Sequence, residues 1–336
     1  METASRVLAA WDLSHAQLSV LAGGLINTTL LVVTPDARYV LQRLHPIFAG
    51  EVNEDIDAVT QHLSARGLVT PRLVRTRDGR LWVDDDGAWR LQTFVEGQSV
   101  QRVDSPERAA TAGALVGRFH AALAELRHDF VFRRAGVHDT TRHFALLDES
   151  VALHAAHPLH NEVALMRDEL VAIRSTLPVV DALALPLRIT HGDLKISNLL
   201  FDERGRGVCL VDLDTLGHMP MPFELGDAWR SWCNPLGEDD PDARFELPLL
   251  SAAWQGYAST MQLTDDEREL LVAGILTICV ELSARFLRDV LDDRYFGWDP
   301  ARFASRAEHN QVRARSQLAL ARSLRDQRQG AEAALR

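Results

Sequence analysis

Thr190-His191-Gly192-Asp193-Leu194-Lys195-Ile196-Ser197-Asn198, followed after an apolar run by Val211-Asp212-Leu213-Asp214, is the stretch that decides how this chain folds. A carboxylate at Asp193 can accept the proton of a substrate hydroxyl. The amide oxygen of Asn198, five residues on, and the carboxylate of Asp212, fourteen beyond that, are hard donors suited to holding Mg²⁺ against ATP phosphates. Leu199-Leu200-Phe201, the turn Asp202-Glu203-Arg204-Gly205-Arg206-Gly207 and Val208-Cys209-Leu210-Val211 spell a hairpin between them. Folding it back sets Asn198 beside Asp212. His-Gly-Asp alone is a common turn. The asparagine at the fifth place and an apolar strand ending in aspartate make it the pattern of a phosphoryl-transfer site.

Upstream, residues 5 to 22 predict a short helix carrying Val7, Leu8, Trp11, Leu18 and Leu21. Gly23-Gly24-Leu25-Ile26-Asn27 then opens onto Leu30-Leu31-Val32-Val33, which suits either a loop lying over phosphates, with Gly23, Gly24 and Asn27 as its contacts, or a plain hairpin entry. A strand over Arg38 to Leu44 and a helix from Glu51 to Arg66 follow, the order in which a kinase small lobe begins. Such a lobe places a cation on its third strand, paired with a helix glutamate. The residues on offer are Gln42 and Arg43, with Glu54 on the helix, and if Gln42 faces inward, alternation turns Arg43 away.

Leu81-Trp82-Val83 and Trp89 to Val95 predict two strands flanking Asp84-Asp85-Asp86-Gly87, with a hinge at Glu96-Gly97. Residues 1–96 are therefore read as a nucleotide-binding N-lobe and 97–336 as a C-lobe carrying the catalytic loop, metal site and substrate pocket. The backbone of Gln92, Phe94 and Val95 either meets an adenine edge or simply closes the strand. Ser105-Pro106-Glu107-Arg108 starts a helix, and 161–176, 246–261, 265–292 and 301–328 also read as helical, with 311–336 a surface helix frayed at its end. The expected class is α+β: a protein-kinase-like bilobal fold.

Around the site, His191 is expected to fix the loop by donating to a backbone carbonyl. Asp227, read at a helix start, is expected to accept backbone N–H groups. Asp214 shares a strand face with Asp212 and is read as touching metal or a substrate hydroxyl, or as facing solvent. With 336 residues, 46% hydrophobic and 25% charged, the chain can bury two lobes, and its net charge of −11 argues against nucleic-acid or anionic-membrane partners. The lack of a leader-like start and of a long apolar run predicts a cytoplasmic protein, and scattered Cys209, Cys233 and Cys279 predict reduced, buried thiols.

His191-Gly192-Asp193-x4-Asn198 with Val211-Asp212-x-Asp214 resembles the aminoglycoside phosphotransferase and choline kinase superfamily. Tyr39-Val40-Leu41-Gln42-Arg43-Leu44, Lys195-Ile196-Ser197-Asn198, Gly226-Asp227-Ala228-Trp229-Arg230, Arg285-Phe286-Leu287 and Arg306-x-Glu308-His309-Asn310 are further similar to the N-acetylhexosamine 1-kinases, which share Gln42 in the lysine place. The resemblance implies transfer of the ATP γ-phosphoryl group to the anomeric hydroxyl of a hexosamine, with Asp193 as base and Asn198 and Asp212 on Mg²⁺. Arg285, Tyr295 and Trp298 would line the sugar pocket; Arg285 alternatively pairs with Glu281 or Asp289, one turn away. Two departures bear on substrate choice: Leu25-Ile26-Asn27-Thr28-Thr29 stands where that family carries His-Ile-Asn-Asp-Thr, and the stretch from Arg285 to Tyr295 is a residue shorter. Kinases of other alcohols (aminoglycoside, choline, homoserine) and a catalytically silent nucleotide-binding protein are the competing readings.

Overall fold

The computed structural model describes residues 2–21, 27–133, 136, 138–180 and 185–336. The chain opens with α1 (Glu2–Val7), a 3₁₀ turn over Leu8–Trp11 and β1 (Gln17–Val20). This differs from the helix expected over 5–22, because Asp12 takes a left-handed φ of 58° that ends the turn, and the chain continues as an edge strand. Next come β2 (Thr28–Val33), β3 (Arg38–Arg43), α2 (Val52–Ala65), β4 (Val83–Asp84) and β5 (Ala88–Thr93). The five strands form one antiparallel sheet of order β1-β2-β3-β5-β4.

Strand alternation gives this sheet two unlike faces. Leu30, Val32, Leu41, Trp89 and Leu91 pack against Ala4, Val7, Leu8 and Trp11. The opposite face carries Thr29, Gln42 and Arg90, aligned across β2, β3 and β5. The face of α2 bearing Val52, Ile56, Val59 and Leu63 is buried in the main core.

The larger, mostly helical part runs through β6 (Gln98–Ser99), α3 (Pro106–Leu123), α4 (Thr140–Leu153), α5 (His160–Arg174), β7 (Leu187–Thr190), β8 (Leu199–Phe201), β9 (Gly207–Leu210) and β10 (Gly217–Pro220). It ends with α6 (Met221–Trp232), α7 (Leu247–Ala258), α8 (Asp265–Glu269), α9 (Leu271–Asp292), α10 (Arg306–Asp326) and α11 (Arg328–Ala334). The hairpin β8–β9 pairs with β6, and β7 pairs with β10, so two small sheets frame residues 191–198. Helix α9 is buried on nearly every side, with α4, α5, α6 and α10 packed around it. Helices α3 and α7 meet backbone to backbone: a Cβ on Gly113 would lie 2.0 Å from the Ala253 carbonyl oxygen, and one on Gly256 1.9 Å from that of Ala110. That approach brings His120 and Tyr257 together beneath the site.

Residues 311–336 are not a surface helix. Ala314, Leu318, Leu320, Ala321, Leu324, Ala331 and Leu335 are buried in the main core. Their stripe is hidden in sequence by arginines that reach across to α5, where Arg322 pairs with Glu169 and Arg315 with Glu162. Helix α4, absent from the sequence reading, starts at Asp139, whose side chain accepts the Arg142 N–H.

Candidate active site

The loop between β7 and β8 presents Asp193, and its path depends on Gly192. That residue has φ 80°, and a Cβ there would sit 2.3 Å from the Thr215 carbonyl oxygen. Thr215 Oγ1 in turn donates to the His191 carbonyl at 2.8 Å. Gly192→Ala combines a left-handed residue, costing about 1–2 kcal/mol, with a backbone clash. It is expected to lower the melting temperature and abolish turnover, as a thermal melt and a kinase assay would show; a wild-type melt with wild-type activity would contradict the geometry.

Helix α6 cradles the same loop. Glu224, 1% exposed, accepts the His191 N–H at 2.8 Å and the Gly192 N–H at 3.0 Å, and His120 Nε2 lies 3.2 Å from it. Burial pushes the Glu224 carboxyl up, but His120 and the His191 N–H more than offset this and hold it below its ordinary value. Asp227 Oδ2 accepts the Leu194 N–H at 3.2 Å, while Trp232 Nε1 donates to the Leu194 carbonyl at 2.8 Å. Asp227 is not the N-cap read from sequence: α6 begins six residues earlier at Met221, with Pro222 in its first turn. Its other oxygen receives Arg230, which also reaches Glu238. His191 is fully buried, with Nε2 2.9 Å from the Val211 carbonyl and Nδ1 accepting the Asp193 N–H at 3.3 Å.

Asp193 Oδ2 lies 2.6 Å from Lys195 Nζ and accepts from Asn198 Nδ2 at 3.1 Å. Burial raises the Asp193 pKa, but the Lys195 ammonium overrides it and holds the carboxyl below the ordinary aspartate value. Because Asn198 spends its Nδ2 on Asp193, its Oδ1 is the end left to bind a cation. The Val211 N–H donates to the Asn198 carbonyl at 2.9 Å, so the hairpin sets Asp212 next to Asn198. Asp212 has a left-handed φ of 64°, uncommon for a residue with a side chain and frequent at functional turns. Burial, then Asp214 and Asp193, push its carboxyl up to about 6. A carboxylate crowded by two others beside a free amide oxygen fits a hard divalent cation such as Mg²⁺.

On the N-terminal side, the sequence candidates separate. Gly23 and Gly24 lie outside the described residues. Asn27 Nδ2 donates to Asp214 at 2.6 Å, and its Oδ1 accepts the His45 N–H at 2.8 Å. Asp214 is 2% exposed, not solvent-facing, and its other oxygen is taken by Arg90. Gln42 points inward, and Arg43, one residue on, points to the other face and pairs with Asp86 at 2.9 Å, so Arg43 is withdrawn as a nucleotide contact. Glu54 is exposed, and the phase of α2 instead turns Asn53 inward, 3.4 Å from Arg90. Gln92 is flanked by Val40 on β3 and Leu73 on its other side, and the Thr93 and Phe94 N–H groups donate to Arg72 and Arg38. The N–H groups of Thr93 and Phe94 are thus taken within the protein, because the 72–74 segment covers the strand's second edge; Val95 follows it. The Phe94 ring lies under the Arg38 guanidinium at 4.4 Å.

Arg285 is 4.0 Å from Glu281 and over the Phe296 ring at 5.7 Å. Glu281 also accepts the Thr140 hydroxyl at 2.6 Å and lies 3.1 Å from His138 Nδ1; burial lowers the His138 pKa, but the Glu281 carboxylate overrides it and holds it above the ordinary histidine value. Tyr295 is half-exposed, edge-on to Phe296, with its N–H donating to Asp289; Trp298 is partly buried nearby in sequence.

Sequence reasoning missed Arg90, Glu224 and Asn53. The one available signal was an arginine inside an otherwise apolar strand, Trp89-Arg90-Leu91, since a buried strand does not carry a charge without a partner.

An antiparallel sheet with one main helix, a larger helical part and an Asp-Asn-Asp site on a loop and hairpin define a protein-kinase-like phosphotransferase. The chain belongs to the phosphotransferase enzyme family, whose profile matches residues 17–262, and is a small-molecule kinase of that family. It is 26% identical over 322 residues to a homoserine kinase of Methylobacillus flagellatus, spanning 93% of both chains. Its fold matches the microcompartment-associated aminopropanol kinase with a TM-score of 0.67 at 18% identity, covering 97% of each chain. It also matches the amicoumacin kinase hAmiN, solved with AMP-PNP, Ca²⁺ and Ami, with a TM-score of 0.59 at 15% identity over 88% of each chain. No helix among the described residues is long and apolar enough to cross a membrane.

Proposed function

We propose that this chain transfers the γ-phosphoryl group of ATP, with Mg²⁺, to a hydroxyl of a small molecule, the first candidate being the anomeric hydroxyl of a hexosamine. The carrying observation is Asp193 Oδ2 shared between Lys195 Nζ and Asn198 Nδ2. Asp193 accepts the acceptor's hydroxyl proton as its oxygen bonds to phosphorus and the bond to the ADP oxygen breaks. Lys195, beside it, faces the charge spread over the transferring phosphoryl oxygens. Asn198 and Asp212 would hold the cation, which neutralises the phosphates. Glu224, Asp227 and Trp232 keep the loop from relaxing during the step.

For the acceptor, Arg285 on Phe296 with the half-exposed Tyr295 offers a donor and an aromatic edge of the kind sugars use, and Arg285-Phe286-Leu287 is similar to the N-acetylhexosamine 1-kinases. A second reading, an amino alcohol such as homoserine, is supported by the homoserine kinase relative spanning 93% of the chain. An ATP-consumption screen with Mg²⁺ over hexoses, hexosamines, their N-acetyl forms, homoserine, choline and aminoglycosides separates them. Saturable turnover of a hexosamine giving an acid-labile phosphate is the expected outcome. Turnover of homoserine alone selects the second reading, and ATP binding with no acceptor leaves a silent nucleotide-binding protein.

A further inference from the structure

Gln42 stands on β3 where a kinase places the lysine that neutralises the α- and β-phosphates, and a neutral amide cannot do that work. Its cross-strand partner is Arg90 on β5, so the two side chains share the face turned away from α1. Arg90 is 1% exposed and is the buried arginine of the five-stranded sheet among the described residues. Gln42 Oε1 accepts from Arg90 Nε at 2.9 Å and Nη2 at 2.7 Å, while Gln42 Nε2 donates to Thr29 Oγ1 at 3.2 Å. The amide is a clamp that fixes the plane of the guanidinium. Nη1 is directed at Asp214, two residues beyond Asp212, with Asn53 Oδ1 at 3.4 Å. A buried guanidinium demands an anion. One held along its Nε–Nη2 edge by a neutral amide keeps Nη1 for that anion, which within the protein alone is Asp214.

We propose that Arg90 is the phosphate-neutralising cation of this site, moved from β3 to β5, with Gln42 as its positioning residue and Asp214 as the internal counter-ion that nucleotide phosphates displace. The proposal rests on the ATP-dependent reading above. Arg43, the other cation near the expected place, is turned to the opposite face and engaged by Asp86.

Calorimetric titration of the full chain with adenosine, ADP and ATP in the presence of Mg²⁺ tests it. In Arg90→Met, ADP and ATP affinity should fall by ~10- to 100-fold, as expected for a lost charge-assisted hydrogen bond, with adenosine held within about 2-fold. Arg90→Lys keeps the charge without the fork and should lie between. Gln42→Met should weaken ADP in the same direction and by less. Equal losses for all three ligands, or no loss, would overturn the proposal and leave Arg90 a structural tie. If Arg90→Met does not fold, Arg90→Lys decides by the same ratio of ADP to adenosine. A wild-type chain that binds neither ADP nor ATP would instead overturn the kinase reading itself.

Discussion

Asp193→Asn is expected to lower turnover by about 10²- to 10⁴-fold, the range over which a positioned base acts. Asparagine has the shape of aspartate and can still accept from Asn198, so the loop should hold its path. What disappears is the proton acceptor and the charge that Lys195 faces at 2.6 Å. Since neither is needed to hold the adenine and ribose, ADP affinity should stay close to wild type. Steady-state kinetics paired with ADP titration make the check, and a rate near wild type would remove Asp193 from the mechanism.

Glu224→Ala is expected to cost about 1–3 kcal/mol for each buried N–H that it leaves without an acceptor. It strands the His191 and Gly192 N–H groups and leaves His120 facing a void. Urea unfolding should show the loss, and turnover should fall with it because the loop carrying Asp193 is no longer tied to α6. Glu224→Gln, which keeps an acceptor of the same shape, should lose less stability. The pH dependence has a definite sign. The folded Glu224 carboxyl lies below its ordinary value of 4.5, so its contribution is complete above that pH and is lost as pH falls through the lower folded value. Wild type should therefore lose stability below about pH 4.5 more steeply than Glu224→Gln; parallel acid profiles would show that the carboxylate is not what holds the loop.

The parts of the site legible in sequence are those whose partners are close along the chain. Lys195 reaches Asp193 across two residues, and Asn198 meets Asp212 because a short hairpin folds between them. The strand-strand-helix order of the N-terminal region was equally readable, since periods of two and 3.6 leave apolar stripes in β2, β3 and α2. Reading failed where the decisive contact is distant. Arg90 and Asp214 are 124 residues apart, and Glu224 lies 33 residues beyond the His191 N–H it accepts. The adjacent residues Gln42 and Arg43 are told apart only by which face of the sheet is turned inward, and Asn53 and Glu54 only by the phase of α2.

The sequence by itself determined the phosphoryl-transfer class and the α+β architecture, and local spacing with a hairpin was enough to foretell that Asp193, Asn198 and Asp212 come together. Tertiary structure decided which side chains hold the Asp193 loop in place and which partners Arg90 meets. Buried charges such as Arg90 and Glu224 are tolerated only where folding supplies their partners, and those partners come from other strands and helices.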